Sequence, residues 1–345
     1  MKAIVKTERK KGFEYRTIPV PVLEANEVLV QIHSVTICGS DVMLYDWSPA
    51  IRWVVETTPF IPGHECSGII TEMGPAVRSL TVGDRVAVET HLPCGECFQC
   101  RTGEQHICKN MKLFGHNFDG CFADYAAVPE SIVFKIRDEL TLDKAVLLEP
   151  MGVAFQAVEK AQVCGDSVAI IGAGPIGLMS LYLARKMGAC LSIVVDFNQY
   201  RLDLARELGA DLVLSPATVD IENEVLKATR GDGVGRIIDA SGSAQALTEC
   251  FFYLRKGGRL VLAGNPKEDV VIRQPIQSLI HKEITIKGVH GRRMFDTWEK
   301  TQRFLLDDAF PLNVFVTHEF PMVQFEDAFQ LIESGGCSKI RLRPG

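Results

Sequence analysis

The segment Val168–Asp196, VAIIGAGPIGLMSLYLARKMGACLSIVVD, decides the fold of this chain. It begins with a short apolar, β-branched run that is typical of a buried parallel strand. A glycine-rich turn of the form G-x-G-x-x-G follows and leads into apolar residues at helical spacing. A second apolar run then ends in the acid Asp196. This order of strand, turn, helix, strand and acid predicts a dinucleotide-binding site rather than an ordinary structural turn.

The residues of the turn have expected roles at the cofactor. Gly172 permits the tight turn, Gly174 lets the backbone approach a pyrophosphate, and Gly177 allows close packing of helix and strand. Pro175 and Ile176 lie between the last two glycines at the start of the helix. The N-terminal N–H groups of that helix are expected to bind the phosphates.

Asp196 predicts which cofactor the site prefers. A carboxylate at the end of the second strand accepts hydrogen bonds from an adenosine ribose 2′-OH and repels a 2′-phosphate. Arg201 follows closely and offers the alternative, because an arginine at the cofactor could receive that phosphate. Since Asp196 stands at the strand end, we expect NAD rather than NADP.

The composition excludes several classes of function. A net charge of −6 and a pI near 5.8 argue against a nucleic-acid partner and against an anionic membrane surface. No apolar run reaches membrane-spanning length, and the start of the chain has no long apolar region typical of a secretion signal. We therefore expect a cytoplasmic protein that binds no nucleic acid and no membrane.

The 345 residues suggest two domains. Residues 1–150 contain many short strand-like runs separated by glycine and proline, which favours a β-rich domain. Residues 151–289 alternate strands and helices, the pattern of a doubly wound parallel sheet, so the fold class is α/β. The alternation stops near residue 290, and we expect residues 290–345 to return and complete the first domain.

Eleven cysteines are many for a reducing compartment, and four of them lie within one short segment. Four thiolates can close a tetrahedral zinc shell with no open position, as in a structural zinc site. Disulfides, reduced buried thiols and an iron–sulfur cluster are the alternatives. We predict structural zinc bound by Cys94, Cys97, Cys100 and Cys108.

A second set of possible metal ligands is dispersed along the first half of the chain. Its members are Cys38, His64, Glu65 and Glu149. Each also has an ordinary explanation: a buried thiol, a core histidine, or an acid near the start of a helix. Spacing alone leaves a second zinc site open.

These motifs together resemble the zinc-dependent medium-chain alcohol and polyol dehydrogenases along essentially the whole chain. The resemblance rests on Cys38-Gly39-Ser40-Asp41, Gly63-His64-Glu65, the four-cysteine segment, Glu149-Pro150 and the glycine-rich turn. Within the family, Tyr45-Asp46-Trp47, Asn198-x-Tyr200-Arg201-Leu202 and Gly291–Trp298 are most similar to the L-threonine 3-dehydrogenases, with the sorbitol-type enzymes next. The resemblance implies a GroES-like catalytic domain beside a Rossmann domain.

The resemblance also implies a catalytic site. Cys38, His64 and a carboxylate from Glu65 or Glu149 are expected to bind a second, catalytic zinc, which lowers the pKa of the alcohol so that hydride can pass to NAD. Four further residues are expected at this site. Asp41 orients His64, and Ser40 receives the substrate proton and passes it outward. His91 lies near the substrate, and Arg292 contacts the cofactor. A surface-loop histidine is the alternative for His91.

Two positions depart from the family pattern. Met43 stands where the family usually has the outer histidine of the proton relay. Because methionine cannot carry a proton, the relay is expected to run through water, the cofactor ribose or another residue. Gln156 replaces a histidine that is common shortly after the Glu-Pro motif. The presence of Met43 argues against threonine as the substrate more than it argues against alcohol oxidation.

We therefore expect an NAD-dependent enzyme with two zinc ions per chain that oxidises a secondary alcohol of a small polar substrate to a ketone. L-Threonine oxidised at C3 is the favoured substrate, and a polyol, sugar alcohol or sugar acid is the alternative. A non-catalytic binding protein and a zinc-free reductase of the same fold fit less well, because the ligand residues and Ser40 are all present. The resemblance also implies a homotetramer.

Overall fold

The structure, a computed structural model, describes residues 1–345 and contains two large sheets, one of seven strands and one of six. The N-terminal part supplies short strands and few helices. Its elements are β1 (Lys2–Val5), β2 (Glu14–Thr17), β3 (Glu27–Thr36), α1 (Gly39–Tyr45), β4 (Glu65–Met73), β5 (Arg85–Val88), β6 (His91–Leu92), α2 (Phe98–Arg101), β7 (Lys112–Leu113), β8 (Tyr125–Pro129) and β9 (Val133–Lys135), with 3₁₀ turns at Arg52–Val54, Gln105–Ile107 and Glu130–Ile132.

Strand β3 is the centre of the first sheet. It pairs antiparallel with both β4 and β8, and β4 pairs in turn with β5 and β5 with β9. Most of the apolar side chains of β3 are buried, and its two exposed residues, Gln31 and His33, are polar. This alternation is the physical reason why the segment forms a strand with one face on a core. The predicted β-rich part of the chain is confirmed.

The middle of the chain alternates strands and helices. Its elements are α3 (Leu142–Ala145), α4 (Leu148–Ala161), β10 (Ser167–Ile171), α5 (Pro175–Lys186), β11 (Leu191–Val195), α6 (Gln199–Glu207), β12 (Leu212–Leu214), α7 (Ile221–Ala228), β13 (Val234–Asp239), α8 (Ala244–Tyr253), β14 (Leu254–Leu262), a π-helical turn at Ile276–Ile280 and β15 (Thr285–Gly288).

The six strands β10 to β15 form one parallel sheet in the order β12-β11-β10-β13-β14-β15. The order reverses beside β10, so the crevice at the carboxyl end of β10 is the topological switch point where open α/β sheets bind ligands. The glycine-rich turn follows β10 directly. The predicted Rossmann fold is confirmed.

The C-terminal part contributes to both halves. Its elements are α9 (Asp296–Leu305), α10 (Leu312–Phe315), β16 (Val316–Pro321), a 3₁₀ turn at Met322–Gln324, α11 (Phe325–Ser334) and β17 (Lys339–Arg343). Strand β17 pairs antiparallel with β3, and β16 extends the same sheet. Helix α9 packs on α4 instead, because Trp298 and Leu305 belong to the core of the second half. No helix has the length and apolar character that crossing a membrane requires.

Candidate active site

The four clustered cysteines come together in the loop around α2. Their sulfur atoms lie within 4.8 Å of one another, with Sγ–Sγ distances of 3.4 Å for Cys97–Cys100, 3.8 Å for Cys97–Cys108 and 3.5 Å for Cys94–Cys108. Four thiolates about 2.3 Å from one zinc ion lie about 3.8 Å apart at the corners of a tetrahedron. All eleven cysteines are free thiols. The sulfur shell therefore has the size that a single zinc ion needs.

Backbone N–H groups point at these sulfur atoms. The N–H groups of Cys94 and Asn110 each lie 3.3 Å from the Sγ of Cys108. The N–H groups of Cys100 and Lys109 lower the pKa of Cys97 to about 6. Such donors stabilise thiolates, which are the form that binds a metal. Burial and the neighbouring thiols Cys97 and Cys108 raise the pKa of Cys100 to about 12, so the four sulfurs need a cation among them to ionise together, which fits zinc.

Three of the four dispersed ligands converge at the end of the first sheet, and Glu149 lies outside that group of three. Cys38 is the residue that precedes α1, His64 precedes β4, and Glu65 is the first residue of β4. One ligand atom from each of these three residues lies within 4.8 Å of the others. Asp41, which is completely buried, accepts a hydrogen bond of 2.8 Å from the Cys38 N–H and faces the His64 Nδ1 at 3.5 Å.

The electrostatics of this group favour a cation. Burial would lower the pKa of His64, but Asp41 and the Cys38 sulfur outweigh burial and raise it well above its usual value. Negative charge is therefore concentrated around His64. A divalent metal at the centre of Cys38, His64 and Glu65 would meet the same attraction.

Lys339 also lies in this group, although no motif of the sequence includes it. Its ammonium forms a short, buried ion pair with both carboxylate oxygens of Glu65 and donates to the Ile37 carbonyl at 3.1 Å. Thr36 donates a second short hydrogen bond to Glu65. Burial raises the pKa of Glu65, and Lys339 counteracts that rise. Glu65 thus has strong partners already, whereas Glu149 keeps one carboxylate oxygen without any.

Glu149 lies in the first turn of α4 and is held by two side chains. Its Oε1 accepts hydrogen bonds of 2.8 Å from both Thr90 and Arg292, while Oε2 has no partner. Burial would raise the pKa of Glu149, but Arg292 and His64 outweigh it and lower the pKa to about 2. Glu149 is therefore an anion whose second oxygen is available to a ligand.

Arg292 joins Glu149 to a second buried acid, Glu89. The guanidinium makes a bidentate contact with Glu89, in which Nε lies 2.9 Å from Oε2. The same carboxylate accepts from the His91 N–H at 3.1 Å and lies 2.7 Å from His91 Nδ1. Arg292 is 1% exposed, and its donors are occupied by Glu89, Glu149 and Thr90, so its expected contact with the cofactor stays a prediction.

His91 is a buried residue of β6 rather than a surface-loop histidine. Its ring contacts that of the exposed His290, with centroids 5.8 Å apart. Because Nδ1 faces Glu89, the neutral ring carries its proton there and leaves Nε2 as an acceptor. Glu89 and Thr90 are the members of this network that the sequence analysis missed. Their position next to His91 was the only available signal.

Ser40 and Met43 lie on α1. Ser40 is partly buried in the first turn, and its hydroxyl has no hydrogen bond within the protein. Met43 packs against the core of the first half, and Gln156 is buried on α4 with both amide atoms unpartnered. None of the three lies in the ligand group formed by Cys38 and its neighbours.

The nucleotide-binding turn has space where a pyrophosphate is expected. Gly174 precedes α5, no side chain caps that helix, and a Cβ built on Gly174 meets no protein atom within 4 Å. The carboxylate of Asp196 accepts hydrogen bonds from the N–H groups of Ala173 and Asn198 at 2.6 and 2.8 Å. Arg201 is partly buried in the first turn of α6. The open space and the free N–H groups fit a dinucleotide.

Comparison with known families identifies the chain. Residues 24–138 match the alcohol dehydrogenase GroES-like domain, and residues 175–307 match the zinc-binding dehydrogenase domain. The chain is also 36% identical to the L-threonine 3-dehydrogenase of Bacillus subtilis strain 168, over 100% of this chain and 99% of that protein. The chain belongs to the zinc-dependent medium-chain alcohol dehydrogenase family.

Solved structures of other dehydrogenases share this fold. Galactitol-1-phosphate dehydrogenase from Escherichia coli has a TM-score of 0.91 to this chain, with 26% identity over 100% of both chains. The 2R,3R-butanediol dehydrogenase from Bacillus subtilis has a TM-score of 0.90 with 28% identity, over 100% of this chain and 99% of that one. The expected family and enzyme class are confirmed, and the chain is a zinc-dependent dehydrogenase. The three relatives act on different alcohols, so the fold alone does not select the substrate.

Proposed function

We propose that this dehydrogenase oxidises the C3 hydroxyl of L-threonine to a ketone and passes the hydride to NAD. The full-length similarity to L-threonine 3-dehydrogenase carries this proposal, because it extends over both halves of the chain. A polyol or sugar-derived alcohol is the second candidate. It is favoured by Met43, which departs from the usual relay histidine, and by the likeness to galactitol-1-phosphate and butanediol dehydrogenases.

Cys38, His64 and Glu149 or Glu65 are the proposed ligands of the catalytic zinc. When bound, that metal acts as a Lewis acid and lowers the pKa of the alcohol. We favour Glu149 as the carboxylate ligand, because its Oε2 has no partner whereas both oxygens of Glu65 are held by Lys339. Asp41 orients His64 through the ring nitrogen that it faces.

Ser40 is the proposed first carrier of the substrate proton: its hydroxyl would accept that proton while it passes its own hydroxyl proton outward to water. Its hydroxyl is unpartnered on the helix that follows Cys38, so it can bond to a substrate oxygen. His91 is the proposed second base, because Glu89 fixes its tautomer with Nε2 as the proton acceptor. His91 thus offers a nitrogen acceptor that Met43 does not.

The proposed cofactor is NAD. The position of Asp196 at the end of β11 supports it, since its carboxylate repels the 2′-phosphate of NADP. Gly172 to Gly177 would hold the pyrophosphate of a bound NAD, and Arg201 would hold its adenosine end. We further infer that the enzyme works in the cytoplasm as a homotetramer. The six cysteines outside the two proposed zinc sites form no disulfide, which supports a reducing compartment.

A substrate panel followed by NADH absorbance tests the proposal. The panel contains L-threonine, its stereoisomers, 2,3-butanediol, polyols and sugar acids, each assayed with NAD and with NADP. We expect the highest kcat/KM with L-threonine and NAD. Ser40→Ala is expected to lower kcat about a hundredfold or more, which separates enzymatic turnover from background. If activity is highest on a polyol, the second candidate function is supported instead. If the enzyme reduces NAD with none of the alcohols, the proposed function is refuted.

A further inference from the structure

Lys6 is a fully buried lysine outside the residues discussed so far. It follows β1, and the three N–H groups of its ammonium are shared among four backbone carbonyls within hydrogen-bond distance. Those of Leu44, Gly12 and Tyr45 lie at 2.8, 3.2 and 3.4 Å, and the bond to the Lys10 carbonyl is shorter. The ammonium therefore joins the loop after β1 to the end of α1.

Two aromatic rings complete the surroundings of this charge. The Nζ of Lys6 lies 5.3 Å from the ring centroid of Phe13 and 5.1 Å from that of Trp47, both within cation–π range. No carboxylate forms a salt bridge with Lys6. Burial lowers its pKa to about 8, although Asp46 raises it. A buried ammonium without an ion pair is costly, so the carbonyl dipoles at the negative end of α1 must compensate.

Helix α1 connects this charge to the active site. It has only seven residues, begins immediately after Cys38, and carries Ser40 and Asp41 in its first turn. Asp41 fixes the start of the helix through Cys38, and Lys6 fixes its end through Leu44 and Tyr45. A helix this short has little stability of its own, so its position depends on such contacts.

We infer that Lys6 is a positioning residue of the active site, whose ammonium holds the end of α1 and thereby sets the position of the Ser40 hydroxyl. This inference rests on the proposed function, because Ser40 matters only if the substrate proton passes to it. A misplacement of about 1 Å at a reacting group can lower the rate about a hundredfold. Replacement of Lys6 is therefore expected to lower kcat and to leave cofactor binding unchanged.

Lys282 offers a matched control. It is partly buried, and its ammonium also binds the end of a helix, donating to the carbonyls of Phe251, Phe252 and Leu254 at 2.7, 3.1 and 2.8 Å. That helix is α8, which carries none of the proposed site residues. Lys282→Met therefore removes the same kind of interaction without moving Ser40.

The test compares Lys6→Met and Lys282→Met, alone and in the Ser40→Ala background, with the substrate on which wild type is most active. We expect Lys6→Met to lower kcat about tenfold or more, with the KM for NAD and the zinc content unchanged. In the Ser40→Ala background it should cause little further loss, because both changes act on one group. Lys282→Met should keep wild-type kcat even where it lowers Tm.

Several outcomes would overturn the inference. Equal kcat losses in the two lysine variants would indicate a general stability effect. So would a Lys6→Met/Ser40→Ala double variant whose loss of kcat equals the product of the two single losses. Loss of zinc together with kcat would place the effect at the metal. If Lys6→Met does not fold, Lys6→Gln, which keeps two N–H donors, takes its place with the same criteria. Absence of alcohol oxidation by wild type would instead refute the proposed function, so the two failures are distinguishable.

Discussion

Gly174 and Gly177 lie three residues apart in the nucleotide-binding turn, but their surroundings differ. A Cβ on Gly177 would lie 1.8 Å from the carbonyl oxygen of Gly172, whereas one on Gly174 meets no protein atom. Gly177→Ala should therefore lower Tm. Gly174→Ala should leave Tm unchanged and weaken NADH binding about tenfold, since a pyrophosphate bound at this turn would meet the added methyl group.

Thermal unfolding and NADH fluorescence titration measure the two effects separately. Wild-type NADH affinity in Gly174→Ala would show that the pyrophosphate does not lie against this turn. A normal Tm in Gly177→Ala would show that the close approach of helix and strand is not needed. Either result would contradict the role assigned to that glycine.

Glu89 is the residue on which the His91 and Arg292 contacts converge. Glu89→Gln removes the charge that holds both partners, so we expect kcat/KM to fall about 10- to 100-fold, as when the partners that orient catalytic ligands are lost. The assay is run well below Tm, because breaking a buried ion pair costs about 3–5 kcal/mol. Glu130→Gln is the control, since Glu130 binds N–H groups of Arg78 and Ser79 on the surface. Full activity in Glu89→Gln would exclude a role for this network in catalysis.

The four-cysteine loop around α2 is the element whose stability is expected to depend most directly on bound zinc. Cys97→Ser should remove one of two zinc ions and lower Tm, because the remaining three thiols cannot close the shell. Elemental analysis should then find one zinc per chain. Cys164→Ser, at an exposed cysteine outside both ligand groups, should keep two. A zinc content of two in Cys97→Ser would refute the predicted structural site.

Elements with local signals could be predicted from the sequence. The glycine-rich turn and the four cysteines each lie within a short segment, so spacing alone brings their groups together. The pairing of Lys339 with Glu65 joins residues 274 positions apart, and Arg292 lies 203 positions from Glu89. Local sequence patterns such as hydrophobic periodicity cannot predict these contacts. They arise only when β17 pairs with β3 and when the segment after β15 reaches β6.

On the scale of the whole molecule, the candidate active site draws on both halves. Cys38 and His64 come from the ends of strands and loops of the first sheet, whereas Glu149 comes from α4, which packs on α5 and α9 of the second. Arg292 and Lys339 reach the site from the C-terminal third of the chain. The site is therefore complete only when both sheets and the returning strands are in place, so its formation depends on the cooperative fold.

The second sheet ends in a strand that can bind another copy of the chain. All four residues of β15 are exposed, and its outer edge has no partner strand. Apolar side chains are exposed on it and nearby, with Ile286, Ile276 and Ile280 at 40%, 52% and 62%. An exposed apolar edge strand is a ready template for pairing between chains. We therefore expect this edge to form one interface of the proposed homotetramer.

Light scattering on Ile286→Lys tests that expectation. A lysine on the edge strand should block pairing between copies, so the mass should fall from that of a tetramer to that of a dimer or monomer. Val323→Lys is the control, because Val323 is 57% exposed on the opposite half of the molecule and should leave the mass unchanged. A tetramer in Ile286→Lys would place the interfaces elsewhere. A monomeric wild type would remove the assembly itself, and the exposed edge of β15 would then need another explanation.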